Sequence, residues 1–286
     1  MIELEIRVER LKKENIEDIV ALSSYIGWDY NREEIETIFN SGIVYGVWNE
    51  KKELIASAAI ILYGETLASI GMVIVHPDYK GRGIGKAITD SCMKSVSSQT
   101  PIMLIATDEG KPLYEKLGFR VVSYVSKYIC NTYNANYKCV GNEEYILNYE
   151  ECDLEKIIKI DEDAFGTSRK EFLKRRIMQS EQGILIRDTK QNILGYGMSI
   201  QTPENKIIGP IVAKNDTMAM EIVHSLAKGH NGKLRMDVPE GKKDFVKELE
   251  INGFQKVNTP PIMIKNRNQF LKRNGELYSI AAQIFG

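Results

Sequence analysis

The sequence predicts an α/β chain of the α+β kind: a mixed sheet flanked by helices and built twice in tandem. Three observations carry that expectation. The chain has 286 residues, 43% of them hydrophobic, which at about 150 residues per domain is enough for two packed cores. Stretches with the two-residue alternation of strands interleave with stretches at the 3.6-residue spacing of helices. The same order of elements then returns after a polar, turn-rich stretch at 131–143.

Taken in order, Leu4–Val8 alternates apolar and charged residues as a strand does, and Asn15–Tyr25 and Arg32–Phe39 carry helical spacing. Three strand-like runs follow, Ile43–Trp48, Leu54–Tyr63 and Leu67–Val75, separated by turns at Asn49–Lys52 and Gly64–Glu65. They predict an antiparallel meander. From Ile84 the pattern becomes helical, with Ile84, Ala87, Ile88 and Cys92 on one face. Then come a strand at Ile102–Ala106, a helix near Lys111–Leu117 and a strand at Phe119–Ile129.

The stretch Asn131–Glu143 reads as a linker, so the expected domains are 1–130 and 144–286. The second begins with strand Glu144–Asn148, helices Leu154–Phe165 and Arg169–Ser180, and strands Ile184–Arg187, Ile193–Ile200 and Lys206–Val212. It continues with helix Thr217–Lys228, strand Lys233–Val238, helix Lys242–Ile251 and strand Phe254–Ile264. Leu117-Gly118-Phe119 recurs as Asn252-Gly253-Phe254 at the same point of the order. The tail, Asn266–Gly286, has an amphipathic stretch around Leu277, Ile280 and Ile284 suited to stapling the halves together.

Composition excludes several classes. With 38 basic and 39 acidic side chains, net charge −1, the chain has no global field for nucleic acid or anionic lipid. Its most apolar run, Ala56–Tyr63, is far short of the roughly 18 residues of a membrane span. Met1–Glu14 lacks the apolar core of a signal peptide. Four cysteines, Cys92, Cys130, Cys139 and Cys152, form no CxxC, so a reducing cytoplasm is expected. His76, His224 and His230 lack the spacing of zinc ligands, and no metal is expected.

The informative segment is Val73-Ile74-Val75-His76-Pro77-Asp78-Tyr79-Lys80-Gly81-Arg82-Gly83-Ile84-Gly85-Lys86, a strand that enters a helix through a glycine-rich turn. Unpaired N–H groups at a helix N-terminus point outward, and glycines let a phosphate approach them closely. Lys80, Arg82 and Lys86 gather three cations at the positive end of the helix dipole, which is unfavourable by about 0.3–1 kcal/mol per charge unless an anion binds. The spacing rules out a P-loop, since Lys80 replaces its first glycine and Ala87 its Ser/Thr, and also a dinucleotide-binding GxGxxG, since Gly81, Gly83 and Gly85 are two apart.

On this segment the chain resembles the GCN5-related N-acetyltransferase (GNAT) superfamily. Its pyrophosphate loop runs Arg or Gln, two residues, Gly, one residue, Gly or Ala, between the fourth strand and the third helix. Here Lys80 stands first, followed by Gly83 and Gly85. A second motif, Leu113-Tyr114-Glu115-Lys116-Leu117-Gly118-Phe119, is similar to the family's closing signature. Thr107 stands where the family commonly has Asn, seven residues before the tyrosine. Asp153–Ser168 and Ile207–Ala213 resemble the second domain of a bacterial tandem subfamily.

The resemblance implies tandem GNAT-like acyl-CoA N-acyltransferase folds and transfer of acetyl from acetyl-CoA to a primary amine by direct attack in a ternary complex. It implies that Val73, Ile74 and Val75 pair with the pantetheine arm, that Lys80, Gly81, Arg82, Gly83, Ile84, Gly85 and Lys86 hold the pyrophosphate, and that Thr107 makes a weakened contact. Tyr114, on residue chemistry alone a core aromatic, becomes the general acid to the CoA thiolate.

Glu65 is a candidate base, and Asp29 and Tyr30, between the first two helices, are candidates for acceptor recognition. The second copy carries Lys214-Asn215-Asp216-Thr217 in place of the glycine loop, and a side chain that caps its own helix leaves no place for pyrophosphate. One cofactor per chain is therefore expected. A non-catalytic acyl-CoA sensor and a protein lysine or N-terminal acetyltransferase are the alternatives. A closed pocket between the domains would favour a small amine, and an open groove a peptide.

Overall fold

The computed structural model describes residues 6–134 and 145–286. Most of the linker, Cys139 and the start of the expected first strand lie outside the described residues.

The first half contains β1 (Val8–Arg10), α1 (Ile16–Tyr25), α2 (Arg32–Ser41), β2 (Gly42–Trp48), β3 (Leu54–Tyr63), β4 (Leu67–Val75), α3 (Ile84–Met93), β5 (Ile102–Ile105), α4 (Lys111–Lys116) and β6 (Arg120–Cys130). The second repeats the order with β7 (Tyr145–Asn148), α5 (Leu154–Phe165), α6 (Lys170–Gln179), β8 (Gln182–Arg187), β9 (Ile193–Gln201), β10 (Lys206–Ala213), α7 (Asp216–Ala227), β11 (Leu234–Pro239) and α8 (Lys243–Ile251). It ends in β12 (Gln255–Asn258), β13 (Pro261–Lys265) and β14 (Leu277–Ser279). The paired motifs Gly118-Phe119 and Gly253-Phe254 both close a helix: the glycines have φ of 89° and 99°, and each Phe N–H returns to a helix carbonyl, Tyr114 O at 3.0 Å and Leu249 O at 3.1 Å.

One expected strand is two. Phe254–Ile264 breaks before Pro261, and its parts join different halves of the molecule. β12 lies against the end of β6, with Lys256 opposite Tyr128, whereas β13 slots between β5 and the start of β6, with Met263 opposite Leu104 and Ile264 opposite Arg120. β6 does the reverse. Its first residues pair with β13, and Val125–Cys130 pair with β11. Each half thus lends a strand to the other, and the sheet runs continuously as β1-β2-β3-β4-β5-β13-β6-β11-β10-β9-β8-β7.

The packing follows this exchange. One apolar cluster lies under α3 and α4 and another under α7 and α8. A third is shared, joining Ile16, Ile19 and Ile35 of the first half to Phe165, Phe172 and Leu173 of the second. Two buried ion pairs lie in this shared core, and the first of them joins the halves. Arg176 of α6 holds both carboxylate oxygens of Glu34 in α2 at 3.0 Å, and Arg169 grips Asp161 with two bonds of 2.8 Å. Buried pairs of this kind add little net stability, because desolvation offsets their attraction.

The tail runs as β14 and a turn. It does staple: the Tyr63 hydroxyl donates to Phe285 O at 2.6 Å, and Ile284 sits against Gly71, where a Cβ would fall 2.6 Å from its side chain.

Candidate active site

β4 is paired on both edges only in its first part. Ala68, Ser69 and Ile70 match Ile102, Met103 and Leu104 of β5 in parallel. Then the register with β3 shifts between Ser57 and Ala59, and Met72 takes a φ of 52°, the signature of a bulge. Beyond it Val73, Ile74 and Val75 run on without a β5 partner, so the two strands splay.

The splay opens into a cavity of about 450 Å³ lined by Val73–Val75, by Lys80, Gly81 and Gly83–Lys86, and by Thr107 and Tyr114. Of the residues expected to bind cofactor, only Arg82 is outside this lining. Its guanidinium donates to Asp78 O at 3.0 Å and lies over the Tyr79 ring. Ile26 and Trp28, from the segment between α1 and α2, also line the cavity, as does Glu109.

The loop has the form of an anion cradle. Gly81 and Gly83 have φ of 76° and 81°, a region that L side chains avoid. A Cβ on Gly81 would meet nothing within 4 Å, and one on Gly83 only the end of Ile6 at 4.0 Å. Gly83 starts α3 without a side-chain cap. Among the described residues no protein acceptor meets the N–H of Arg82, Gly83, Ile84 or Gly85. The cations beside it are partnered: Lys86 pairs with Asp90 at 2.7 Å and Lys80 with Glu109 at 2.7 Å. Both members of the second pair line the cavity.

Tyr114 sits on α4, 7% exposed, with its ring against Gly110 and edge-on to Phe119. Burial, with a smaller contribution from Cys92, pushes its phenol up to about 12. The Thr107 hydroxyl accepts from Gly110 N at 3.1 Å and so helps shape the start of α4. His76 accepts from Asp78 N at 3.3 Å and stacks on Tyr25, an ordering role for the turn.

Of the other expected residues, Glu65 and Asp29 lie away from the cavity or are engaged elsewhere, and Tyr30 stays beside it. Glu65 lies exposed in the turn between β3 and β4, about 25 Å from Val73 at 3.3 Å per residue. It cannot reach the cavity. Asp29 is saturated: it accepts from Glu204 N at 2.9 Å, Asn205 Nδ2 at 2.7 Å and the Thr202 hydroxyl, which latches its loop to the β9–β10 turn. Tyr30 stays beside the site, its ring 6.2 Å from Trp28, with its phenol raised by burial and then by Glu34.

In the second half the corresponding space is filled by the chain itself. β10 pairs with β11 only at Lys206 and Ile207, and β14 enters the splay. Ile211 faces Ser279 and Val212 faces Leu277, Ala213 N donates to Glu276 O at 3.0 Å and Ile280 N to Asp237 O at 2.9 Å. The Asn215 side chain accepts from Met218 N at 2.9 Å and caps α7. Among the described residues no group of three or more His, Cys, Asp or Glu could hold a metal, and no helix is long and apolar enough to cross a membrane.

Residues 13–128 and 157–279 each match a model described as an acetyltransferase (GNAT) domain. The chain is 33% identical over 278 residues, 97% of each protein, to an uncharacterized N-acetyltransferase of Bacillus subtilis, YitH. A solved structure from Pyrococcus horikoshii superposes with a TM-score of 0.78 at 20% identity, covering 98% of this chain and 96% of that one. A tandem GNAT protein from the clavulanic acid biosynthesis pathway superposes at 0.68 and 10% identity, covering 91% and 98%. With two domain matches in order and a full-length relative, the chain belongs to the GNAT acetyltransferase family.

Proposed function

We propose that this chain is an acetyl-CoA-dependent N-acetyltransferase that acylates a small primary amine, with the first half carrying the chemistry and the second shaping the acceptor side. The observation that carries this reading is the uncapped start of α3: four N–H groups around Gly83 that meet no protein acceptor among the described residues, beside a cavity that Tyr114 lines. Open glycine positions and unpaired donors fit a pyrophosphate, and the unpartnered edge of Val73–Val75 fits an extended amide chain.

Acetyl-CoA supplies an activated thioester, whose acetyl carbon forms the new C–N bond as its C–S bond breaks. The protein's part is placement and proton control. An N–H of Val73–Val75 polarises the carbonyl. Tyr114 gives its proton to the departing sulfur, and water carries away the proton that the amine nitrogen loses. Holding the two reactants together supplies the remaining gain.

The acceptor is read as small because Asp29 and Asn31 pin the α1–α2 loop to the second half, which narrows the space between the halves. Calorimetric titration with acetyl-CoA tests the reading. One site per chain, lost in Gly83→Glu, is expected; no binding by the wild type would overturn it.

A further inference from the structure

Across from Trp28 and Tyr30, the shared sheet presents a cluster of charges. Arg235 and Asp237 lie two residues apart on β11, and so on one face; Lys127 of β6 stands directly opposite Asp237, on the same face. Asp237 is fully buried and already engaged. Its Oδ2 accepts from Arg235 Nε at 2.9 Å and its Oδ1 from Gln283 Nε2 at 3.1 Å. The other nearby carboxylate, Asp29, is saturated by the β9–β10 turn.

That leaves two donors in excess. Among the described residues, the terminal nitrogens of Arg235 and the ammonium of Lys127 have no protein acceptor. The Arg235 side chain is only 15% exposed, and Lys127 is half-buried. Partly desolvated cations that lack an acceptor are unfavourable. Burial and then the Arg235 charge lower the Lys127 pKa, more than Asp237 and Asp29 restore it. An anion is the partner this pair lacks.

The cluster adjoins the reaction side of the cavity by two routes. Tyr30 lies within electrostatic reach of Arg235 and Asp237 and beside Trp28, which lines the cavity with Val73 and Ile74. Gln283 bonds Asp237, and its neighbour Ile284 packs on Gly71 at the β4 bulge.

We infer that Arg235 and Lys127 form an anion subsite in the acceptor cleft, so that the acceptor carries a carboxylate or phosphate group as well as its amine. This rests on the acetyltransferase reading above. The planar fork of Arg235 suits either oxyanion, with Lys127 as a point charge beside it.

The test is a panel of matched amines at saturating acetyl-CoA: β-alanine against its amide, and phosphoethanolamine against ethanolamine. A preference of about tenfold or more in kcat/KM for one anionic member is expected, and which pair shows it tells carboxylate from phosphate. In Lys127→Gln, and separately in Arg235→Lys, that ratio should collapse toward one through KM. A parallel chemical-shift titration of the CoA-saturated protein with propionate and with inorganic phosphate should show one anion binding in the wild type and about tenfold weaker binding in Lys127→Gln. Lys127 has no protein partner to lose, so this variant folds. Equal use of charged and neutral amines, or anion binding unaltered in Lys127→Gln, would overturn the subsite. Failure to bind acetyl-CoA at all would instead overturn the enzymatic reading on which it stands.

Discussion

Asn215 and Gly83 occupy equivalent places, each one residue before a helix that follows a splayed strand, and only Asn215 caps its helix. This difference leaves one helix start open and the other closed. Asn215→Ala should lower stability by about 1 kcal/mol and leave acetyl-CoA affinity as it was. Gly83→Ala, at a φ of 81°, should be destabilising by about 1–2 kcal/mol and also weaken acetyl-CoA binding. Urea unfolding and calorimetry on both proteins check the contrast.

Glu109 is poised to compete with a bound pyrophosphate for Lys80. Both side chains are exposed, 73% and 48%, so the effect is modest. Glu109→Gln should tighten acetyl-CoA binding about two- to fivefold. The gain should shrink as salt is raised from 20 to 500 mM, roughly a fivefold shortening of the screening length. Weaker binding in this variant would show that Glu109 orders the loop instead.

Tyr114→Phe should lower kcat by about 10²- to 10⁴-fold with little effect on acetyl-CoA affinity. The proton that it removes is tightly kept. Because folding raises the phenol from 10.0 to about 12, the protonated form is favoured in the fold. The associated stability is intact below pH 10 and is lost as pH rises toward 12. A tyrosinate absorbance titration of wild type minus Tyr114→Phe should therefore show a midpoint near 12. A midpoint at 10 would mean that Tyr114 is solvated.

Glu34→Gln removes the charge that Arg176 meets in the shared core. Both groups are buried, and an uncompensated guanidinium there should cost about 3–5 kcal/mol in unfolding. Glu17→Gln, which breaks the exposed pair with Arg32, should change nothing measurable and serves as its control.

What could be read from the sequence was local. Helical and strand spacing located the elements, and Gly81, Gly83 and Gly85 marked a turn whose backbone does take positive φ at the first two. Register between distant strands is not local. Nothing in Phe254–Ile264 announces that its last residues pair with Ile102–Ile105, and the strand breaks at Pro260-Pro261, where proline cannot donate to a ladder. Glu65 lies at the end of β4 away from the cavity; adjacency to a strand says nothing about which of its ends meets a site. Arg235 and Asp237 carry one signal in the sequence: two charges alternating with Leu234, Met236 and Val238 on a largely buried strand.

The strand exchange sets an order of assembly. Until Pro261–Lys265 have left the ribosome, β5 has an unpaired edge and β6 lacks its neighbour, so β1–β6 form a sheet with a slot in it. Cutting the gene at the linker would not yield a smaller protein with the same cavity. It would yield two fragments, each exposing the edge its partner was made to cover, and each prone to stick to copies of itself. The half that carries the glycine loop is thus completed by the half without one, and loss of function by mutation in the second could not release the first to exist alone.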